Sequence, residues 1–209
     1  MTAHIPENLP PEEIERRSFE IITRELGGIA FPDDIALVVK RVIHTTADFD
    51  YARNLRFSGD AVAAGMAALR DGCAIITDTQ MARSGINKKA CAANGCAVHC
   101  YVADEDVAQT AKQNGTTRSR AAVDKAAALW PDGIYVVGNA PTALIRIHEL
   151  IRDGVFRPRL VVGVPVGFVN VVESKELILS SPAPHIIALG RKGGSNVAAA
   201  IINALLYQL

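Results

Sequence analysis

The sequence predicts a single α/β domain spanning residues 1–209, built on a mostly parallel, Rossmann-like sheet of about five strands. Five short apolar or β-branched runs recur along the chain, and helical patterns separate them. The runs do not alternate apolar with polar residues, as expected of strands covered on both faces. A chain of 209 residues suits one large domain and can bury a sizeable core.

Three helical stretches come first. Pro11–Leu26 opens with Pro-Glu-Glu, a proline and two acids in the first turn. Asp33–His44 follows Pro32, with Asp33 or Asp34 as the N-cap. Ser58–Arg70 is rich in alanine and glycine and suits close packing against a neighbour. The strand runs are Cys73–Thr77, Ala97–Val102, Ile134–Val137, Leu160–Val164 and Ile186–Leu189. The last helix is Ser195–Tyr207, with Ser195 as N-cap after two glycines. The first few residues are expected to be loose.

Composition excludes several function classes. Apolar residues make up 49% and charged residues 21%, the balance of an ordinary globular protein. Lys plus Arg equals Asp plus Glu, 22 each, so charge offers no argument for nucleic acid or a membrane surface as partner. The N-terminus lacks a basic segment followed by an apolar run, so no secretory signal is read. No apolar stretch approaches the roughly 18–20 residues that span a bilayer. Cys73, Cys91, Cys96 and Cys100 cluster in one third of the chain without a disulfide framework, which points to a reducing cytoplasm.

Ligands of an open parallel sheet bind beyond the carboxyl ends of its strands. Four unusual segments fall there: Thr77–Met81, Gly138–Thr142, Pro165–Val169 and Gly190–Ser195. Two of them open helices, whose free N–H groups attract anions. Asn139 to Thr142 are therefore expected to offer amides to a carboxylate or phosphate, and Arg191 and Lys192 add positive charge. The bland alternative is a pair of ordinary strand–helix turns with solvated charges. Neither a phosphate-loop nor a G-x-G-x-x-G spacing occurs, so nucleotides are poorly supported.

His44 is the candidate acid catalyst. On its helix Ile35, Val38, Val39, Val42 and Ile43 form one apolar stripe, and His44 points nearly opposite the stripe's centre. That disfavours a core histidine and leaves a solvated one as the alternative. The last turn of a helix favours imidazolium, Lys40 and Arg41 oppose it, and a bound polyanion would cancel them. Asp48 and Asp50 follow closely and are candidates to orient the ring. His4, His99, His148 and His185 read as structural or terminal. Cys91, Cys96 and Cys100 have a C-x₄-C-x₃-C spacing rather than the paired knuckles of zinc sites, so no metal is expected and buried thiols are.

These segments together resemble the precorrin-8X methylmutase family of corrin biosynthesis. The matching blocks run in order through nearly the whole chain. They are Ile14–Phe19, Arg41–His44, Phe57-Ser58, Thr77–Met81, Thr117–Ser119, Gly138–Leu144, Gly163–Val169 with Glu173–Glu176, and Gly190–Ser195. The succession G-N-A-P-T-A-L, P-V-G-F-V, G-R-K-G-G-S is the most specific part.

The resemblance implies a three-layer α/β/α homodimer that moves a methyl group from C-11 to C-12 of a ring-contracted tetrapyrrole. The corrin product is hydrogenobyrinate, or cobyrinate with cobalt in the ring, and no cofactor is needed. It implies that His44 is the proton donor/acceptor and that Ser18 contacts substrate. For the substrate's carboxylates, charge and position nominate Arg118, Arg191 and Lys192, with Arg17 a weaker candidate. Asn139, Thr142 and Thr79 are nominated for neutral hydrogen bonds. Competing readings are a non-catalytic tetrapyrrole carrier on the same scaffold, a nucleotide-dependent α/β enzyme and a metal module built on the cysteines.

Overall fold

The computed structural model describes residues 9–209. The expected looseness of the first few residues and the reading of His4 lie outside them.

In chain order the elements are α1 (Pro11–Leu26), α2 (Asp33–Thr46), α3 (Tyr51–Asn54), β1 (Leu55–Phe57), α4 (Ala61–Arg70) and β2 (Ile75–Thr77). There follow α5 (Gln80–Gly85), α6 (Lys88–Ala93), β3 (Val98–His99), α7 (Glu105–Gln113), α8 (Arg118–Leu129) and β4 (Ile134–Val137). The chain closes with α9 (Pro141–Arg152), β5 (Leu160–Gly163), α10 (Val171–Leu179), β6 (His185–Ala188) and α11 (Ser195–Leu206).

One six-stranded sheet runs in the order β1-β6-β5-β4-β2-β3. The five strands read from sequence pair in parallel, as expected. The sixth, β1, was not expected; it pairs antiparallel with β6, Leu55 opposite Ala188 and Phe57 opposite Ile186. The run expected over Ala97–Val102 shrinks to two residues in β3. Only Ile75 and Ile76 of β2 pair with it, and among the described residues no strand lies on its far side.

Residues that alternate along the strands feed two cores. Ile75, Ile134, Val136, Leu160, Val162 and Ile186 face α11 and α4, while Ile76, Tyr135, Val137, Val161 and Ile187 face α8, α9 and α10. α11 is buried nearly all round, because the sheet covers one side and α2 and α5 the other. α1 in turn lies on α2, so the His44 helix is sandwiched between α11 and α1. α4 packs closely, as its composition predicts: a Cβ on Gly65 would sit 2.9 Å from both Leu160 and Leu205. That helix starts at Ala61 rather than Ser58. Pro32, not an aspartate, occupies the N-cap of α2.

Candidate active site

α2 buries Val38, Val39, Val42 and Ile43, and so turns His44 outward in its last turn. The imidazole is exposed and rests on Phe19 of α1, centroids 5.5 Å apart and planes tilted by 41°. Arg41 lies over the same Phe19 ring at 4.8 Å and over Tyr207 at 5.1 Å, and its guanidinium pairs with Glu15 at 2.5 Å. Ser18 neighbours Phe19; its hydroxyl donates to the Ile14 carbonyl at 2.7 Å. Arg17 bonds Glu13 on the same helix at 3.2 Å.

Asp48 and Asp50 do not orient the imidazole. Both receive Lys192 Nζ, at 2.6 and 2.7 Å, and Asp48 also accepts the Asp50 amide at 2.9 Å. The α2 helix has ended in a left-handed Ala47, which redirects the acids toward the β6–α11 turn. The neighbour the imidazole does have is the Phe19 ring. The clamp ties the end of the His44 helix to the carboxyl edge of the sheet. It also leaves Lys192 already engaged by two carboxylates.

At that edge an internal anion takes two of the amides expected for an external one, those of Asn139 and Ala140, together with that of Gly138. The carboxylate of Asp78, buried at the end of β2, accepts from Gly138 N at 2.9 Å, Asn139 N at 2.8 Å and Ala140 N at 2.7 Å. Pro141 has no N–H to offer. Burial pushes the Asp78 carboxyl up, and the three amides pull against it. The Asn139 side chain stays exposed here. Thr142 accepts a hydrogen bond from Thr117 at 3.0 Å, which brings Arg118, exposed at the start of α8, beside the start of α9. Thr79 caps α5 by accepting from Ala82 N at 3.1 Å and shares a 2.8 Å bond with the Ser195 hydroxyl. Ser195 is thus not the N-cap of α11; Gly194 is, and no side chain caps that helix.

The Gly190–Gly194 turn is held from several sides. A Cβ on Gly193 would fall 2.1 Å from the Val164 carbonyl oxygen, which itself accepts Gly194 N at 2.9 Å. Gly167 N donates to the Arg191 carbonyl at 3.2 Å, joining this turn to the loop after β5. The Arg191 guanidinium lies 5.2 Å over Phe168, which is 79% exposed beside Val169 at 77%. Lys175 of α10 was missed from sequence; it is buried, and it donates to the Gly190 and Lys192 carbonyls. An isolated lysine on a helix carries no local signal that it will be buried, since its acceptors lie 15 and 17 residues away.

The cysteines and the other described histidines are buried or half-buried in the packing. Cys91, Cys96 and Cys100 are buried and free, and burial pushes the Cys96 thiol up to about 11. Among the described residues no group of His, Cys, Asp and Glu is spaced to hold a metal ion. His99 stacks on Trp130 at 4.9 Å and Tyr101 at 5.8 Å, and His185 Nδ1 meets the Ala183 carbonyl at 2.9 Å. No described helix is long and apolar enough to cross a membrane.

Known proteins resemble this chain along nearly its whole length. The sequence model of the precorrin-8X methylmutase family matches residues 13–208. The cobalt-precorrin-8 methylmutase of Salmonella typhimurium is 51% identical, over 95% of this chain and 96% of its own. That of Leptospira interrogans is 45% identical over 92% and 91%. A crystal structure of precorrin-8X methylmutase from Thermus thermophilus superposes with a TM-score of 0.87 at 42% identity, covering 94% of this chain and 95% of that one.

Proposed function

The chain belongs to the precorrin-8X methylmutase family, and from that premise we propose how its residues carry out the isomerisation. The protein is an intramolecular transferase of corrin biosynthesis, moving a methyl group from C-11 to C-12 of precorrin-8X or its cobalt form. His44 donates the proton that selects the rearranging tautomer and takes it back as the corrin forms. The observation that carries this role is the outward imidazole at the end of α2, tied through Lys192 to the edge where the exposed Arg118 and Arg191 lie.

The division of labour follows from charge and exposure. The substrate is a polycarboxylate, and guanidinium groups pair with carboxylates through two parallel hydrogen bonds. Arg191 is exposed and lies over Phe168, while Arg118 stands at a helix start close to Asn139. Both serve as carboxylate partners, with Asn139 as a neutral donor. Thr79 and Thr142 have hydroxyls engaged within the protein, so any substrate bond they make is shared. Ser18 and Arg17 approach the ring from the His44 side, on α1. Lys192 acts more through its clamp than by direct contact. The exposed Phe168 and Val169 give a macrocycle face an apolar cover. The reaction rearranges one molecule and calls on no cofactor. The working form is a cytoplasmic homodimer.

Purified protein incubated with metal-free and cobalt-bearing substrate, followed by the visible spectrum, tests the reading. Conversion of either is expected, and a carrier would leave the chromophore unchanged. His44→Ala should lose roughly 10²–10⁴ in turnover and keep tight product binding. Wild-type turnover in that variant would remove His44 from the chemistry.

A further inference from the structure

Lys175 is 1% exposed, and its ammonium has two backbone carbonyls for company, Gly190 O at 2.7 Å and Lys192 O at 2.9 Å. Burial alone pushes its pKa down, to about 8, with no neighbouring carboxylate to oppose it. Only these two hydrogen bonds offset the cost of desolvating the ammonium, so whatever the lysine contributes it contributes through the carbonyls it holds. What the ammonium does hold is narrow. Its two acceptors are the residues on either side of Arg191, whose own carbonyl accepts Gly167 N at 3.2 Å. The Arg191 guanidinium then lies over Phe168, on the loop that Gly167 belongs to.

We propose that Lys175 is a positioning residue: by gripping the carbonyls that flank Arg191, it fixes that guanidinium at the sheet edge for one of the substrate's carboxylates. The inference rests on the reading of this edge as the substrate site. Lys175 itself touches no substrate and acts only through the turn.

Lys175→Met in the full chain is the test, read by melting temperature, by KM against kcat and by binding of the corrin product. The variant should bind product about tenfold more weakly and raise KM more than it lowers kcat, and should melt somewhat below the wild type because two carbonyls lose their donor. In an Arg191→Ala background the same substitution should add little, because both act through one guanidinium. Wild-type product affinity in Lys175→Met, or a fully additive loss in the double variant, overturns the proposal. Should the methionine variant not fold, Lys175→Gln, whose side chain is one bond too short to hold both carbonyls, replaces it with the same two outcomes. A wild-type protein that binds no corrin overturns the site reading first, and this inference with it.

Discussion

Among the helices that begin at the carboxyl edge of the sheet, α9 and α11 have approaches built with opposite charge. The start of α9 is closed from within by the Asp78 carboxylate, which takes three consecutive amides. The turn that leads into α11 is gripped from behind by the Lys175 ammonium, which takes carbonyls and leaves the helix without a side-chain cap. The same kind of turn can therefore be a sealed structural joint or a presented one. The joint's substitutions should cost stability; those at the presented turn should cost binding.

The largest stability effect should come from Asp78→Ala. It strands three donors at the buried end of β2, each worth about 1–3 kcal/mol and not fully additive, so about 3 kcal/mol or more should be lost in urea denaturation. Formate or acetate should return part of that loss to the variant and do nothing for the wild type, because only the variant has an empty anion nest. An alanine variant as stable as the wild type would break the comparison. Gly193→Ala comes next. Its Cβ would lie 2.1 Å from the Val164 oxygen, so the turn must move, and weakened product binding should accompany a loss of about 1–3 kcal/mol. Binding unchanged at lowered stability would make this turn a joint as well.

The smallest effect belongs to the Lys192 clamp, which faces solvent. Lys192 holds the Asp48 carboxyl below its usual range, and Asp48 and Asp50 hold the ammonium above its own. A depressed carboxyl stabilises above its unfolded value and stops as pH falls through the folded one; a raised ammonium stabilises below its unfolded value and stops as pH rises through the folded one. The melting-temperature gap between wild type and Lys192→Gln should thus stay flat between roughly pH 5 and 9, and shrink in high salt. A gap that swings near neutrality would assign the clamp's contribution to another titrating group.

Much of the fold was legible because its signals are local. Apolar runs such as Ile134–Val137 and Leu160–Gly163 are buried throughout, and the stripe on α2 predicted which way His44 turns. β1 was not legible: three residues carry no period, and its pairing with β6 reaches across more than half the chain. The site was half legible. Residue type and position nominate Arg118, Asn139 and Arg191, which are exposed at one edge. The occupancy of that edge by the protein's own groups was not, because Asp78 meets its amides 60 to 62 residues away and Asp48 meets Lys192 144 residues away. Sequence shows which groups could bind an anion; only the folded chain shows which ones the protein has already used.

The margins of the sheet have a consequence for self-association. One border strand is three residues long and runs against its neighbour, and the other is only two residues long. Neither offers enough unpaired backbone to template a strand from another molecule. Borders this short disfavour edge-to-edge pairing, so contact between copies of this protein is expected at helix or loop surfaces rather than through a continuous sheet.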